Sequence, residues 1–341
     1  MKAAVVGATG AVGQRFIALL ASHPQFKVSE LVASERSAGK RYGEAATWVL
    51  DEPMPPGLGD MEVKLTTADL DADVVFSAIP GGAAGPAEAD LAKRGYKVFS
   101  NARDHRMDPK VPLIIAEVNP DHASLVKQQG TDGYVVTNGN CTTIVLTMAL
   151  KPLLDHFGLT DVVAVSMQAL SGAGYPGVPS LDSTANVVPY IGGEEEKVEA
   201  ETLKFLGTLR GNAVQNANIK LSATCTRVPV VEGHSLAVSV KLSRSTNPEE
   251  IIGAWNSWRA KPQQLHLPSA PQQPVHYFPE PNRPQPRRDW GLERGMAIGV
   301  GRLRKDPVLG WKFFCSGSNT IRGAAGGSIL NAELLKAEGL L

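Results

Sequence analysis

A glycine-rich turn between the first strand and the first helix is the feature that most restricts how this 341-residue chain can fold. The apolar residues 2–6 predict a short buried strand, and residues 14–22 have the periodicity of an amphipathic helix. Glycines between them let the backbone approach a pyrophosphate held by the helix N-terminus. Such a turn can also serve only tight packing, but this one opens a βαβ pattern and therefore predicts a dinucleotide site. The predicted cofactor contacts in the turn are Gly7, Thr9, Gly10, Ala11, Val12 and Gly13.

Strand-like and helix-like segments then alternate along the first part of the chain. Buried strands are predicted over residues 28–33, 73–79, 97–101, 113–116 and 134–136. The alternation predicts an α/β fold, with a Rossmann-like, doubly wound parallel sheet and helices on both faces. Ligands of such sheets lie at the carboxyl ends of the strands, and Ser77, near one such end, is a further predicted cofactor contact.

The end of the second strand bears on which dinucleotide binds. An NAD site usually has an acidic residue here for the ribose 2′-hydroxyl, whereas hydroxyl and cationic side chains suit a 2′-phosphate. Glu35 is outnumbered in this segment by Ser34, Arg36, Ser37 and Lys40. We therefore predict NADP as the cofactor, the alternative being a solvated charged loop.

The pattern changes in the second half of the chain. Longer alternating segments at 162–168, 220–229 and 236–242 are typical of an antiparallel sheet with one solvated face. They predict a second, α+β domain with a largely antiparallel sheet, for catalysis and dimerisation. Eight prolines between residues 261 and 286 predict a long loop without regular structure that covers a partner.

The C-terminal residues 320–340 predict a helix rich in Ala and Leu that packs back on the first domain. Two domains follow from these patterns. Residues 1–143 together with the C-terminal helix, 320–341, are predicted to bind NADP. Residues 144–319 are predicted to form the catalytic and dimerisation domain.

Cys141 occupies the place where a cysteine would be most reactive. A strand-like segment over 133–137 leads to an Asn/Gly turn, and helical periodicity begins at Ile144. Cys141 is therefore expected at a helix N-terminus, where free N–H groups and the helix dipole favour a thiolate over a thiol. The alternative is a buried structural cysteine.

A second segment, residues 227–234, could complete such a site. Arg227 has the donor fork that binds a carboxylate, and His234 follows a glycine turn that could bring it to the sulfur. A lone histidine is more often a core or surface group, so the segment gains weight only together with Cys141.

Composition excludes several classes of function. The 34 basic and 34 acidic residues balance, which gives no reason to expect nucleic acid or an anionic membrane as partner. Three widely spaced cysteines indicate neither a disulfide framework nor a metal site. No apolar run is long enough for a membrane span, and the N-terminus is not of secretory type, so we expect a cytoplasmic protein.

Several motifs, in this order along the chain, resemble those of the aspartate-semialdehyde dehydrogenase family, in particular its archaeal and fungal branch. The matching segments span 7–13, 140–143, 167–174, 189–197, 227–234 and 319–331. One departure is Gly139, where the family usually has proline; glycine loosens the turn before Asn140.

The resemblance implies NADP-dependent reductive dephosphorylation of aspartyl 4-phosphate to the semialdehyde, on the way to lysine, threonine and methionine, by a homodimer or homotetramer. It implies Cys141 as the acylated nucleophile, His234 as its acid–base partner and Gln168 as the residue orienting the acyl group. The side chain of Asn140 and the N–H groups at the helix start would meet the oxyanion. Substrate would be bound by Arg227, Glu194, Lys197 and Arg106, the last two holding phosphate, with Ser171, Gly172 and Asn319 as further cofactor contacts.

Two other functions stay open at this point. Malonyl-CoA reductase, or a reductase of another acyl-CoA or acyl phosphate, resembles the same scaffold. A non-enzymatic NADP-binding sensor is the third hypothesis. The presence of Glu194 and Lys197 favours the dehydrogenase over the CoA enzyme, and Cys141 with His234 argues against a sensor.

Overall fold

A computed structural model describes residues 1–341 and contains two six-stranded sheets. The first sheet is wholly parallel, with the strand order β3-β2-β1-β4-β5-β6 of a doubly wound fold. Its strands are β1 Lys2–Val6, β2 Lys27–Val32, β3 Val63–Lys64, β4 Val74–Ser77, β5 Lys97–Ser100 and β6 Tyr134–Thr137. The helices of this part are α1 Ala11–Leu20, α2 Tyr42–Ala45, α3 Ala84–Lys93 and the 3₁₀ helix Pro120–Gln128. The predicted Rossmann-like sheet is confirmed.

One predicted strand of this sheet is absent. Residues 113–116 are buried, but they make only a single bridge, Leu113 to Thr137, at the edge of β6. The prediction was wrong because an apolar run marks burial and not strand pairing. Ile114 donates one backbone hydrogen bond to the Thr137 carbonyl, and the pairing ends there, with Ile114 and Ile115 buried in the core beside the sheet.

The second sheet is mixed. Its order is β10-β7-β11-β14-β13-β12, with antiparallel pairing along β7-β11-β14-β13 and parallel pairing at both edges. The strands of the second half are β7 Leu159–Gln168, β8 Thr208–Arg210, β9 Ala213–Gln215, β10 Lys220–Arg227, β11 His234–Leu242, β12 Val275–Phe278, β13 Ile298–Asp306 and β14 Gly310–Gly317, of which β8 and β9 form a separate hairpin. The largely antiparallel character is thus confirmed, with the two edge pairs as exceptions.

The helices of the second half lie around this sheet and behind the first one. They are α4 Cys141–Phe157, α5 Ser180–Ser183, α6 Glu194–Phe205, α7 Pro248–Ser257, α8 Lys261–Gln264, α9 Pro286–Asp289 and α10 Gly326–Ala337, with a 3₁₀ turn at Leu170–Ala173 and a π turn at Ile321–Ala325. Helix α10 packs against the parallel sheet: Ile329, Leu330 and Leu334 belong to the same hydrophobic core as the sheet residues Phe76 and Phe99. The predicted packing of the C-terminal helix on the first domain is confirmed.

The proline-rich segment is more ordered than its composition predicts. Between Pro274 and Pro279 the four residues of β12 are not proline and therefore have backbone N–H groups, and they pair in parallel with β13 as an edge strand. Proline therefore limits this segment to the edge of the sheet without excluding it. The expectation of no regular structure over 261–286 was wrong for this reason.

Candidate active site

Helix α4 begins at Cys141, as predicted. Asn140 caps it: Oδ1 accepts hydrogen bonds from the N–H groups of Thr142 (2.9 Å) and Thr143 (3.1 Å). The Asn140 cap does not take up the N–H of Cys141 itself. A cysteine Sγ thus lies beside a helix N-terminus that retains a free donor.

His234, the first residue of β11, meets this cysteine. Its Nε2 lies 3.1 Å from Sγ of Cys141, and its Nδ1 accepts a hydrogen bond of 3.0 Å from the N–H of Ala169. A neutral ring that accepts at Nδ1 carries its proton on Nε2. In this arrangement His234 donates to the sulfur, and its expected role as the acid–base partner stays a prediction.

The expected low pKa of Cys141 is not found. Burial and the carboxylate of Glu194 raise the pKa of the Cys141 thiol to about 12, against the opposing effects of Arg106, Arg227 and the Thr142 N–H. Burial and the charge of Arg227 likewise lower the pKa of His234 to about 3. Because both burial effects disfavour charge, the resting pair is a thiol beside a neutral imidazole.

Glu194, at the start of α6, binds several polar side chains around the nucleophile. Its Oε2 accepts from Nδ2 of Asn140 (2.8 Å) and Nε2 of Gln168 (3.3 Å), and its Oε1 pairs with Nζ of Lys197 at 2.7 Å. Burial alone would raise the pKa of Glu194, but the hydrogen bonds from Lys197, Asn140 and Gln168 outweigh it, so this pKa is lowered. Glu194 is therefore a buried carboxylate at neutral pH.

The oxyanion role expected for Asn140 stays a prediction, because this network uses only part of its side chain. Its Oδ1 accepts the two cap bonds and one N–H of its Nδ2 donates to Glu194, which leaves the second amide N–H as a donor. The N–H of Cys141 is the remaining backbone donor of that turn. Asn140 thus sets the geometry of the helix start.

Arg227 ends β10 directly beside the end of β7. The register pairs it with Gln168, and its Nη1 donates to the carbonyl of Ala169 at 2.6 Å. The neighbouring Gly172 leaves no room for a side chain, because a Cβ there would lie 2.8 Å from the His234 ring and 2.9 Å from Arg227. The strand ends thus bring Gln168, Arg227 and His234 to Cys141.

Arg106 also reaches the site, but not as a free cation. It is 7% exposed, and its Nη1 pairs with Glu201 at 2.9 Å while Nη2 donates to the Asn101 carbonyl at 2.7 Å. Its Nε is buried without a partner. Sequence reasoning missed Glu201; the spacing of Glu194, Lys197, Glu201 and Lys204 on one predicted helix face was the available signal.

The glycine turn between β1 and α1 has the shape of a phosphate cradle. Gly7 has a φ of 76°, and a Cβ there would lie 2.5 Å from the Ala78 carbonyl oxygen; a Cβ on Gly13 would lie 2.2 Å from that of Gly7. Helix α1 begins after Gly10 with no side-chain cap. Thr9, Ala11 and Val12 are partly exposed around it.

Other predicted cofactor contacts divide into two groups. Ser34, Arg36 and Lys40 are exposed after β2, whose last residue, Val32, accepts hydrogen bonds from Gly7 and Ala8. Ser37 and Ser77 are buried instead. The Ser77 hydroxyl accepts a 3.5 Å hydrogen bond from the N–H of Ile79.

Ser171 and Asn319 belong to a network near His234. Nδ2 of Asn319 donates to the Ser171 hydroxyl at 2.8 Å, and its Oδ1 accepts from the Gly233 N–H at 2.9 Å. The Ser171 hydroxyl donates in turn to Glu232, a residue that sequence reasoning did not single out. The polar network thus fixes the glycine turn that precedes His234.

None of the helices has the length and apolar character that a membrane crossing requires. No group of three or more His, Cys, Asp or Glu side chains is placed to hold a metal ion.

Two family models match this chain. Residues 2–126 match "Semialdehyde dehydrogenase, NAD binding domain", and residues 150–322 match "Semialdehyde dehydrogenase, dimerisation domain". Aspartate-semialdehyde dehydrogenase of Archaeoglobus fulgidus is 51% identical over 99% of this chain and 98% of its own length. That of Methanothermobacter thermautotrophicus is 50% identical over 97% of each.

A solved structure agrees with these relatives. The crystal structure of aspartate semialdehyde dehydrogenase with NADP from Candida albicans superposes with a TM-score of 0.93 at 38% identity, covering 100% of this chain and 99% of that one. The superposition covers the whole chain and therefore includes both sheets.

Proposed function

The chain belongs to the aspartate-semialdehyde dehydrogenase family, and from that premise we propose that it converts aspartyl 4-phosphate reversibly to aspartate 4-semialdehyde with NADPH. The observation that carries the proposal is the contact between Sγ of Cys141 and Nε2 of His234, with the Glu194–Lys197 pair in the same site. A nucleophile, a donor to it, and a carboxylate beside an ammonium match a substrate that has both an amino group and a phosphate.

The glycine cradle fits the pyrophosphate of a dinucleotide. At Gly7 and Gly13 neighbouring backbone fills the space that a side chain would need, and no side chain caps the start of α1. The exposed Ser34, Arg36 and Lys40 suit a 2′-phosphate, and the similar protein from Candida albicans was solved with NADP. When bound, NADPH supplies the hydride. Residues 1–143 with the C-terminal helix would hold it, and residues 144–319 would supply catalysis and dimerisation.

Cys141 would act in two half-reactions. Its sulfur forms a bond to the acyl carbon while the carbon–oxygen bond to phosphate breaks, and the thiol proton leaves with the phosphate. After reduction of this thioester the carbon–sulfur bond breaks and its electrons return to sulfur. The Nε2–H of His234 then donates to the thiolate, and the Cys141 N–H is placed for the oxyanion.

The remaining groups divide between the two ends of the substrate. Arg227 would bind the α-carboxylate through its unused donors, and Glu194 the ammonium. Lys197 and the free Nε of Arg106 would bind the phosphate. Gln168, held by Glu194 at 3.3 Å, would orient the acyl group.

Exposed apolar groups support self-association. Val163 and Val165 on the outer face of the second sheet are 46% and 38% exposed, and Leu181 in the segment before α6 is 91% exposed. We propose a homodimer through this sheet, or a tetramer built from two such dimers. The product would serve lysine, threonine and methionine synthesis.

A substrate panel with the purified protein tests the activity. We expect NADP reduction that requires both aspartate semialdehyde and phosphate, and none with Cys141→Ser, which should still bind NADPH. Reduction of malonyl-CoA without phosphate-dependent oxidation of the semialdehyde would establish the alternative enzyme. NADPH binding without turnover of either substrate would indicate a sensor.

The same assay tests cofactor choice. We expect kcat/KM to be higher with NADP than with NAD, and Arg36→Ala to raise the KM for NADP roughly two- to fivefold while leaving that for NAD unchanged. An equal kcat/KM for the two cofactors in the wild type would exclude a 2′-phosphate site at this strand end.

A further inference from the structure

Glu201 is a buried carboxylate that no step of the proposed reaction uses. It lies on α6 two turns after Glu194, and only 2% of its surface is exposed. A carboxylate buried to this degree must have partners, because an unpaired buried charge is strongly destabilising. Its partners are therefore informative about its role.

The two oxygens of Glu201 bind two different parts of the active site. Oε2 accepts a 2.6 Å hydrogen bond from the backbone N–H of Asn140, the residue that caps the nucleophile helix. Oε1 accepts from Nη1 of Arg106 at 2.9 Å. One side chain therefore joins the start of α4 to the guanidinium.

Helix α6 also fixes the loop that carries Arg106. Lys204, one turn after Glu201, donates from Nζ to the carbonyls of Arg106 (2.6 Å), Asp108 (2.9 Å) and Val111 (3.4 Å). The backbone of that loop is thus held by Lys204, while the direction of the Arg106 side chain is set by Glu201. Nη1 and Nη2 each donate one hydrogen bond and keep a second N–H, and Nε is the nitrogen of Arg106 without a partner.

We propose that Glu201 is a positioning residue that fixes the distance between the nucleophile turn and the phosphate-binding edge of Arg106. The inference rests on the proposed function, since it assigns phosphate to Arg106. A carboxylate is required because both of its partners are donors. An amide at this position would offer one acceptor and one donor, so either Asn140 or Arg106 would lose its bond.

The test compares wild type, Glu201→Gln, Arg106→Gln and the double variant. We expect Glu201→Gln to raise the KM for phosphate about ten- to a hundredfold, the effect of losing one hydrogen bond to a charged group, with the KM for NADP unchanged. In the Arg106→Gln background the same change should leave the phosphate KM where it is, because Glu201 acts on phosphate through Arg106. Independent, multiplying effects would overturn the proposal.

A second readout needs no turnover. The rate at which iodoacetamide alkylates Cys141 reports the start of α4, and it should differ between Glu201→Gln and wild type. Glu196→Gln, an exposed residue of the same helix, is the matched control and should change neither readout. If Glu201→Gln does not fold, Glu201→Asp is tested in its place, because aspartate keeps the charge but has a shorter side chain.

The outcomes separate this inference from the proposed function. A wild type without phosphate-dependent oxidation refutes the function, and an altered alkylation rate in Glu201→Gln then still supports positioning of the nucleophile. If Glu201→Gln matches Glu196→Gln in alkylation and in phosphate KM, the positioning role is wrong. If Glu201→Gln impairs kcat and the KM values of all substrates alike and also lowers the midpoint of unfolding, its role is purely structural. That result would also overturn the positioning role.

Discussion

Nε2 of His234 lies 3.1 Å from Sγ of Cys141, although the two residues are 93 positions apart in the chain. The contact exists because α4 begins at Cys141, β11 begins at His234, and the fold brings these two starts together. The Ala169 N–H fixes the other ring nitrogen as an acceptor. The histidine thus donates to the sulfur in a fixed orientation.

Replacing His234 distinguishes a donor from a base. Glutamine presents an amide N–H near the position of Nε2 but cannot take up a proton at neutral pH. We expect His234→Gln to retain at least about tenfold more kcat than His234→Ala, since one charge-assisted hydrogen bond separates them. Equal loss in both variants, measured by steady-state kinetics, would show that the imidazole must accept a proton.

The pKa of Cys141 can be read from its alkylation. Burial raises this pKa to about 12, so the thiolate fraction is small at neutral pH and increases with pH. The iodoacetamide rate of the ligand-free protein should therefore increase about tenfold per pH unit between about pH 7 and about pH 9. Cys225 and Cys315 are buried, and Cys141→Ser gives the background rate. A plateau near neutral pH would instead support the low pKa that a helix N-terminus favours.

The elements around this site could largely be predicted from sequence because their signals are local. The glycine spacing of residues 7–13 and the Asn-Cys turn each precede a helix whose periodicity is visible in the chain. The net pKa of Cys141 could not be predicted in the same way. It depends on burial and on Glu194, which is 53 residues away in sequence and reaches the turn only in the folded chain.

The side-chain pairs were the least predictable part. Arg106 and Lys197 were both expected as free phosphate ligands, yet each has a carboxylate partner on α6. A cationic side chain in a motif indicates charge but not which carboxylate accompanies it. Periodicity places Glu201 on a helix face, whereas only the packing of α6 against α4 brings it to Asn140.

Gly139, the position at which the family usually has proline, is fitted to its neighbour in this chain. A Cβ at this position would lie 2.5 Å from a ring carbon of Phe205, a fully buried residue of α6. Gly139→Ala should therefore destabilise the fold by about 1–3 kcal/mol in urea unfolding, the cost of overpacking. Phe205→Leu should remove part of that cost in the double variant, since the two residues are in contact.

Gly253→Ala is the control for Gly139, because a Cβ there meets nothing within 4 Å. In the interior of α7 this change should leave stability unchanged or raise it by up to about 1 kcal/mol. If Gly139→Ala behaves like Gly253→Ala, then Phe205 moves aside without cost. In that case the structure would not explain why residue 139 is a glycine.

Lys197 and Glu194 should not behave as independent ligands, because Nζ and Oε1 are 2.7 Å apart. Lys197→Ala removes the contact that most lowers the Glu194 pKa, so burial then raises it. A carboxylate whose pKa has risen becomes protonated as pH falls, and it then loses its attraction for an ammonium. We therefore expect Lys197→Ala to raise the KM for phosphate about ten- to a hundredfold and also to make the KM for the amino-aldehyde increase from about pH 8 to about pH 5.

Glu194→Ala should raise the KM for the amino-aldehyde at every pH, and the double variant should show less than the sum of the single effects, by about 0.5–3 kcal/mol of coupling. Lys93→Ala, an exposed lysine of α3, is the control for lost charge alone. Strictly additive effects on two separate substrates would mean that the ion pair opens when ligands bind. A phosphate KM that stays unchanged in Lys197→Ala would remove this lysine from the phosphate site and leave Arg106, held by Glu201, as its cation.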